Sequence, residues 1–261
     1  MRNFFLKVKK FILDLLFPKF CLNCNKEGSY LCQDCFSLID IAERQYCPFC
    51  SSPRIVLDGK TCNSCRNSKK LAGLYCPTSY DNFIIKKAIN QFKYQPYIKE
   101  LAKPLASLII AYLVNLKKLG DFSDFTPHHF LENNLKQTKF TENGAGFIII
   151  PVPLHKKKLK KRGFNQAGEI AKELSRFLKI PAFNDVLVKI KQTPAQVELK
   201  KEQREENIKN VFNCREPNLV KKRKILLVDD IFTTGATMEE SALTLKRAGA
   251  REVWGIVVAR G

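Results

Sequence analysis

Residues 225–237, Ile-Leu-Leu-Val-Asp-Asp-Ile-Phe-Thr-Thr-Gly-Ala-Thr, constrain this chain more than any other stretch. Ile225 to Val228 have the length and character of a buried strand. Two carboxylates, Asp229 and Asp230, follow at once. Next come a run of Thr and Gly and a helical pattern marked by Met238, Ala242, Leu243 and Leu245, with Gly249 where a C-cap belongs. A helix N-terminus has unpaired N–H groups and partial positive charge, so it receives an anion. Gly235 lets the backbone close around that anion, and Thr233, Thr234 and Thr237 offer hydroxyls. Two acids beside a phosphate site would repel the ligand unless they met hydroxyls or a cation. A ribose 5-phosphate meets both demands, with its phosphate in the cradle and its ring hydroxyls on the acid pair. The plain alternative is an ordinary strand, turn and capped helix. The acid pair between strand and turn argues against it.

Eight of the ten cysteines form four Cys-x-x-Cys pairs: Cys21/Cys24, Cys32/Cys35, Cys47/Cys50 and Cys62/Cys65. Each pair sets two thiolates on one side of a tight knuckle, and two knuckles make a tetrahedral sulfur site. Four pairs suit two closed, structural Zn²⁺ ions, joined either in sequential or in cross-braced order. With few large apolar residues in this module, metal binding is expected to supply much of its folding free energy. Disulfides are disfavoured because no export signal is read. The start, Met1 to Phe17, is basic and then apolar, but Asp14 interrupts it and no small-residue cleavage site precedes Cys21, so an amphipathic helix is expected. Zinc in turn implies a reducing, cytoplasmic setting. Cys76 and Cys214 stand outside the pairs and are expected to be buried or half-buried thiols.

At 261 residues and 45% hydrophobic composition, the chain has material for one or two cored domains. No apolar run of about 18 residues or more spans a membrane. The formal net charge is +20, which suggests a polyanionic partner, nucleic acid before membrane, as readily as a solubility surface. Residues 78–261 carry 33 Lys+Arg against 19 Asp+Glu, so most of the excess lies beyond a boundary placed between 77 and 78.

Along the second domain, helices are expected over 82–92 and 98–116. Between them Phe92-Lys93-Tyr94 reads as an aromatic corner with a solvated lysine at least as readily as a ligand contact. Residues 117–146 read as a variable loop, and its adjacent His128 and His129 are poorly spaced for a metal. Phe147 to Val152 is a buried strand, followed by the basic run Lys156 to Arg162. In a parallel sheet, ligands bind at the carboxyl ends of the strands, so this run should lie beside the phosphate cradle, and Lys221 to Lys224, entering a strand, at the opposite edge. Lys157, Lys158, Lys160, Lys161 and Arg162 are therefore the candidate nucleic-acid contacts, with Phe164 as a candidate base-stacker. A helix over 165–178, a strand over 186–190, a loop over 191–196, a charged helix over 199–209 and a strand over 252–259 complete the expected pattern. Strands alternating with helices argue for a parallel α/β sheet.

Residues 225–237 resemble the signature of type I phosphoribosyltransferases, which bind 5-phosphoribosyl 1-diphosphate (PRPP). The resemblance implies a parallel sheet with helices on both faces, and here a small zinc-ribbon module with two four-cysteine sites precedes it. It also implies that Asp229 and Asp230 hold the ribose hydroxyls as the catalytic pair, that Thr233, Thr234, Gly235, Ala236 and Thr237 bind the 5-phosphate, and that Mg²⁺ arrives with the pyrophosphate. The cysteine modules, Phe92-Lys93-Tyr94, Pro151 to His155, Arg162 to Gln166, Thr193 with Gln196 and Leu199, Arg204 with Asn207, and Phe212 occur in the order of the ComF family, which is tied to natural transformation. ComF proteins are similar to the synthase half of glutamine amidophosphoribosyltransferases. That likeness implies a pyrophosphate loop at 153–158, with Leu154, His155 and Lys156, and a flexible closing loop at 189–200, with Lys189, Lys191, Gln196 and nearby Arg204; Lys156 to Lys158, Lys189 or Lys191, and Arg204 then become candidate phosphate partners. Met1 is followed by Arg2 and no N-terminal Cys nucleophile is read, so glutamine-dependent purine synthesis is not expected. Three functions remain open: handling incoming single-stranded DNA with a PRPP-type site, phosphoribosyl transfer to an acceptor, and a PRPP-sensing module docking a helicase or recombination mediator.

Overall fold

The computed structural model describes residues 16–50, 52–56, 59–118, 146–191 and 209–261. In chain order the strands are β1 (Gly73–Tyr75), β2 (Thr78–Ser79), β3 (Phe147–Pro151), β4 (Leu187–Lys189), β5 (Phe212–Cys214), β6 (Lys224–Val228), β7 (Ile231–Phe232), β8 (Glu252–Ile256) and β9 (Ala259–Arg260). The longer helices are α1 (Phe83–Lys93), α2 (Ala102–Lys118), α3 (Lys156–Arg162), α4 (Gln166–Leu178) and α5 (Ala236–Arg247).

The central sheet runs β1-β8-β6-β3 and is parallel throughout. Its strands are apolar without alternation because both faces are covered. Ile149, Leu226, Val228, Trp254 and Ile256 face one side, in the cluster that includes α1, α2 and α4. Ile148, Ile150, Ile225, Leu227 and Val253 face the other, against Met238, Ala242 and Leu245 of α5. β2, β9 and β7 form a second, smaller parallel sheet. β1 is one edge strand, and its Tyr75 stacks on Trp254 with ring centroids 5.6 Å apart.

The structure corrects several sequence expectations. The boundary after residue 77 falls beyond the first strand of the sheet, because Gly73–Tyr75 already pair with β8. The strand expected over 186–190 lies outside the parallel sheet and pairs antiparallel with β5. The strand expected over 252–259 is two strands, β8 and β9, in different sheets. The helix expected over 98–116 begins as a 3₁₀ turn at Lys99–Leu101 and becomes α-helical at Ala102. The basic run 156–162 is helix α3, capped by the His155 imidazole, whose Nδ1 accepts from the Lys157 N–H at 3.3 Å. Phe164 is no exposed stacker: it is buried, with its ring centroid 5.5 Å from that of Phe92. Residues 119–145 of the expected loop, with His128 and His129, and residues 199–208 of the helix expected over 199–209 lie outside the described residues. No described helix is long and apolar enough to cross a membrane.

Candidate functional site

The site forms where β6 ends. The Asp229 N–H donates to the Ile256 carbonyl at 3.1 Å, and the Asp230 carbonyl accepts from the Val258 N–H at 3.1 Å, so the β8–β9 connection fixes the backbone of both acids. β7 follows, then the Thr-Thr-Gly turn into α5. Gly235 has φ +78°, a left-handed conformation that side chains resist. A Cβ there would also run into the Phe232 ring beneath it. The turn therefore needs glycine twice over, for its backbone and for the ring. Thr234 Oγ1 accepts from the Ala236 N–H at 3.4 Å. Thr233 is exposed and Thr237 half-buried at the mouth of the 12-residue helix α5.

Lys93, the last residue of α1, closes the acid pair. Its Nζ lies 2.8 Å from Asp230 Oδ1, with the Asp230 side chain 4% exposed. Burial pulls the lysine down, but Asp230 and then Asp229 outweigh it and hold the ammonium above its ordinary value. Asp229 Oδ1 accepts the Asp230 N–H at 2.9 Å. Burial, then the charge of Asp230, push the Asp229 carboxyl up to about 8. Two adjacent carboxylates on one buried turn repel, so one carries the charge opposite Lys93 and the other keeps its proton near neutral pH. Such a pair can both accept and donate to vicinal hydroxyls.

The acids and the threonine turn open into a cleft of about 550 Å³. Its basic wall is Lys158, Lys161 and Arg162 of α3 and Lys189 of β4. Burial, then neighbouring Lys158, lower Lys189 to about 8. Lys158 and Arg162 are lowered too, first by burial. Crowded cations that are costly to desolvate side by side suit an anion that would neutralise them.

The cleft gathers Asp229, Asp230, Thr233, Thr234, Gly235, Ala236, Thr237, Leu154, Lys158, Lys161, Arg162 and Lys189 from among the expected site residues. His155 and Lys156 line instead a neighbouring cleft of about 870 Å³, on the other side of α3. Lys157, Lys160 and Lys191 are exposed and line neither. Gln196 and Arg204 lie outside the described residues. The sequence did not single out Tyr80 and Tyr97, which line the cleft with Tyr94, and of its two readings of the Phe92-Lys93-Tyr94 corner the solvated lysine is overturned by the ion pair. The corner Phe92-Lys93-Tyr94 was the available signal. Its Phe92 is buried, which aims the next residue at the pocket.

The cysteines resolve into two tetrads in sequential order, Cys21/Cys24/Cys32/Cys35 and Cys47/Cys50/Cys62/Cys65, with the four sulfurs of each within 4.8 Å of one another. Cys24 and Cys32 Sγ are 3.6 Å apart, as are Cys50 and Cys62, and Cys50 to Cys65 is 3.8 Å. Zinc–sulfur bonds of about 2.3 Å in a tetrahedron require sulfurs about 3.8 Å apart, so both tetrads fit a structural zinc. The Cys32 and Cys62 N–H groups donate to Cys21 and Cys47 Sγ at 3.5 Å each, the kind of outer support that orients thiolate ligands. Cys76 is a half-buried thiol outside both tetrads, raised to about 12 chiefly by burial, and Cys214 is half-buried as well.

Residues 159–261 match a phosphoribosyl transferase domain and residues 12–66 a double zinc ribbon domain. The DNA utilization protein YhgH of Salmonella typhi is 33% identical over 162 residues, covering 53% of this chain and 70% of that one. Competence protein F of Haemophilus influenzae is 40% identical over 111 residues, covering 41% of this chain and 48% of that one. The chain belongs to the ComF family. Competence protein ComFC of Bacillus subtilis extends the ComF match to 86% of this chain and 81% of its own, at 24% identity. Against Competence protein F and several YhgH proteins, the match spans about half of the relative's length.

Proposed function

We propose that this ComF protein binds a ribose 5-phosphate of the PRPP type in the cleft at the end of β6, and that it handles single-stranded DNA along the basic helix α3. The observation that carries the reading is the continuous run from the Lys93-held acid pair to the left-handed Gly235 turn at the mouth of α5. Ribose hydroxyls would meet one charged and one protonated carboxyl, and the phosphate would meet Thr233 to Thr237 and the helix start. A pyrophosphate group would be neutralised by Lys158, Lys161, Arg162 and Lys189. Asp230 is already engaged by Lys93. Magnesium, which retains several waters, would instead be held on the ligand's pyrophosphate oxygens. The spacing of the two cysteine tetrads supports zinc as the structural metal.

The DNA partner rests on the same cations and on the names of the competence and DNA utilization relatives. Arg162 and Tyr97 sit together, guanidinium carbon 6.0 Å from the ring centroid, and Tyr94 is 51% exposed, so a base would find a charged and aromatic surface. Those tyrosines also favour a second reading, transfer of the phosphoribosyl group to a planar acceptor stacked on them. Docking of a helicase or recombination mediator on the ribbons would be a further partner role.

Calorimetry with PRPP and Mg²⁺ tests the main reading. Binding by the wild type and its loss in Asp229→Asn/Asp230→Asn are expected. A wild type that binds no PRPP overturns the ribose-phosphate reading and leaves the basic surface to DNA alone. Release of pyrophosphate on adding bases or amines distinguishes transfer from binding.

A further inference from the structure

We infer that the second cysteine tetrad is a working part of the phosphate turn, with Phe49 and Glu239 as the residues that position it. Phe49 sits inside the Cys47–Cys50 knuckle, and its ring meets Phe232 edge-on with centroids 5.9 Å apart. Phe232 is 1% exposed and is the ring that lies under Gly235 where a side chain would otherwise stand. The knuckle thus touches the ring on which the turn is seated. Lys69 also sits over the Phe49 ring, its Nζ 5.0 Å from the centroid.

A second fastening runs through α5 itself. Glu239 lies in the first turn of that helix, where a carboxylate would ordinarily satisfy the helix's own N–H groups. Here its carboxylate leaves the helix and accepts from the Leu71 N–H at 2.9 Å and the Lys70 N–H at 3.0 and 3.2 Å. Those amides lie five and six residues beyond the last knuckle, whose Cys65 carbonyl accepts from the Lys69 N–H at 3.0 Å. A third contact joins Arg260 Nη1 to the Cys47 carbonyl at 3.4 Å, next to Gly261, whose N–H donates to the Phe232 carbonyl at 3.0 Å. The tetrad therefore meets the phosphate turn from below, through a ring, and from the side, through the first turn of the anion-receiving helix. Charge-assisted bonds from a carboxylate to backbone N–H groups are among the stronger ones a loop can make. Disturbing the tetrad, which joins the two knuckles, loosens both supports together. The Phe232 ring can then move toward the space kept clear at Gly235, and the start of α5 loses its lateral anchor.

The consequence for ligand affinity rests on the ribose-phosphate reading, while the coupling itself does not. The test uses the full zinc-loaded chain with Phe49→Ala, Phe49→Tyr and Glu239→Gln. It measures ribose 5-phosphate affinity by calorimetry and amide hydrogen exchange residue by residue. Phe49→Ala and Glu239→Gln should each weaken ribose 5-phosphate by about tenfold, the scale of one aromatic pair or one charged hydrogen bond. Each should speed exchange of the Thr234 to Met238 amides by a similar factor and leave those of Ile225 to Leu227 unchanged. Phe49→Tyr, which keeps the ring, should restore both. Glu239→Gln removes no apolar volume and decides the question alone if Phe49→Ala does not fold. Turn amides that exchange at the wild-type rate in Glu239→Gln, or that speed up only in step with the central strands, overturn the coupling. If wild type binds no ribose 5-phosphate but the turn amides respond as expected, the ribose-phosphate reading fails and the coupling stands.

Discussion

The Nζ of Lys93 stands 2.8 Å from Oδ1 of Asp230, so the cation facing the acid pair belongs to the protein. The lysine ends α1 and the aspartate follows β6, and the pair ties the helical layer to the carboxyl end of the sheet. Lys93→Met would leave a buried carboxylate without its partner. The expected cost is about 3 kcal/mol of folding stability, read from chemical denaturation. Lys93→Met/Asp230→Asn should recover more than half of it. Equal losses in the single and double variants would show that the pair is not what stabilises this junction.

Asp229 gives a pH signature. Its carboxyl is raised from an ordinary 3.8 to about 8 in the folded chain. Between those values the folded chain keeps a proton that the unfolded chain has released. Its contribution to stability is therefore complete below the ordinary value, declines as pH rises, and is exhausted once pH passes about 8. Asp229→Asn cannot release that proton. Denaturation midpoints from pH 5 to pH 9 should show the wild type losing ground steadily to the Asn variant up to about pH 8. Parallel pH curves for the two proteins would rule this out.

Gly235→Ala should injure the turn through both backbone and ring, since φ is +78° and the added carbon would meet Phe232. A strained left-handed residue costs on the order of 1–3 kcal/mol. PRPP affinity by calorimetry should fall at least about tenfold, since the two supports of the turn fail together. An Ala variant that binds like wild type would place the phosphate elsewhere in the cleft.

The tetrads predict a metal count. Metal released by a mercurial reagent and read with a colorimetric chelator should come to two zinc ions per chain, one for each tetrad. Cys62→Ser should lower it to one. A single ion in the wild type would mean that only one tetrad is a zinc site.

The basic wall predicts a salt dependence. Each backbone phosphate neutralised on a single strand contributes about 0.7 to the slope of log affinity against log salt. Lys158→Ala/Arg162→Ala should therefore flatten that slope by about 1.4 for an unstructured oligonucleotide. An unchanged slope would move DNA contact off this wall.

Much of the scaffold was legible because single stretches carried it. Ile148 to Ile150 and Ile225 to Val228 are buried on both faces, so their unbroken apolar runs announced a parallel sheet. The Cys-x-x-Cys spacing announced the tetrads, and the order of acids, threonines and glycine announced the turn. The features that were missed depend on partners distant in sequence. Lys93 looks solvated until α1 is set against β6. Leu187 to Lys189 look like a sheet strand until Phe212 to Cys214 claim them in antiparallel register. Phe164 looks available for stacking until Phe92 covers it. His155 and Lys156 fall into the neighbouring cleft because residues 156–162 coil into a helix, which turns successive side chains to different sides.

The edge strand β1 also sets an order of events during synthesis. Its partner β8 is made long after it, and nearby the Thr78 hydroxyl donates to the Val258 carbonyl across 180 positions of chain. At about 5–20 residues per second a ribosome needs roughly 10–35 s to cover that gap. Throughout this interval the edge waits unpaired, and a waiting edge invites association with other chains. β1 is three residues long, directly after a cysteine module of the metal-nucleated kind. A nascent chain whose ribbons order on metal first therefore offers its neighbours no more than three residues of edge at β1.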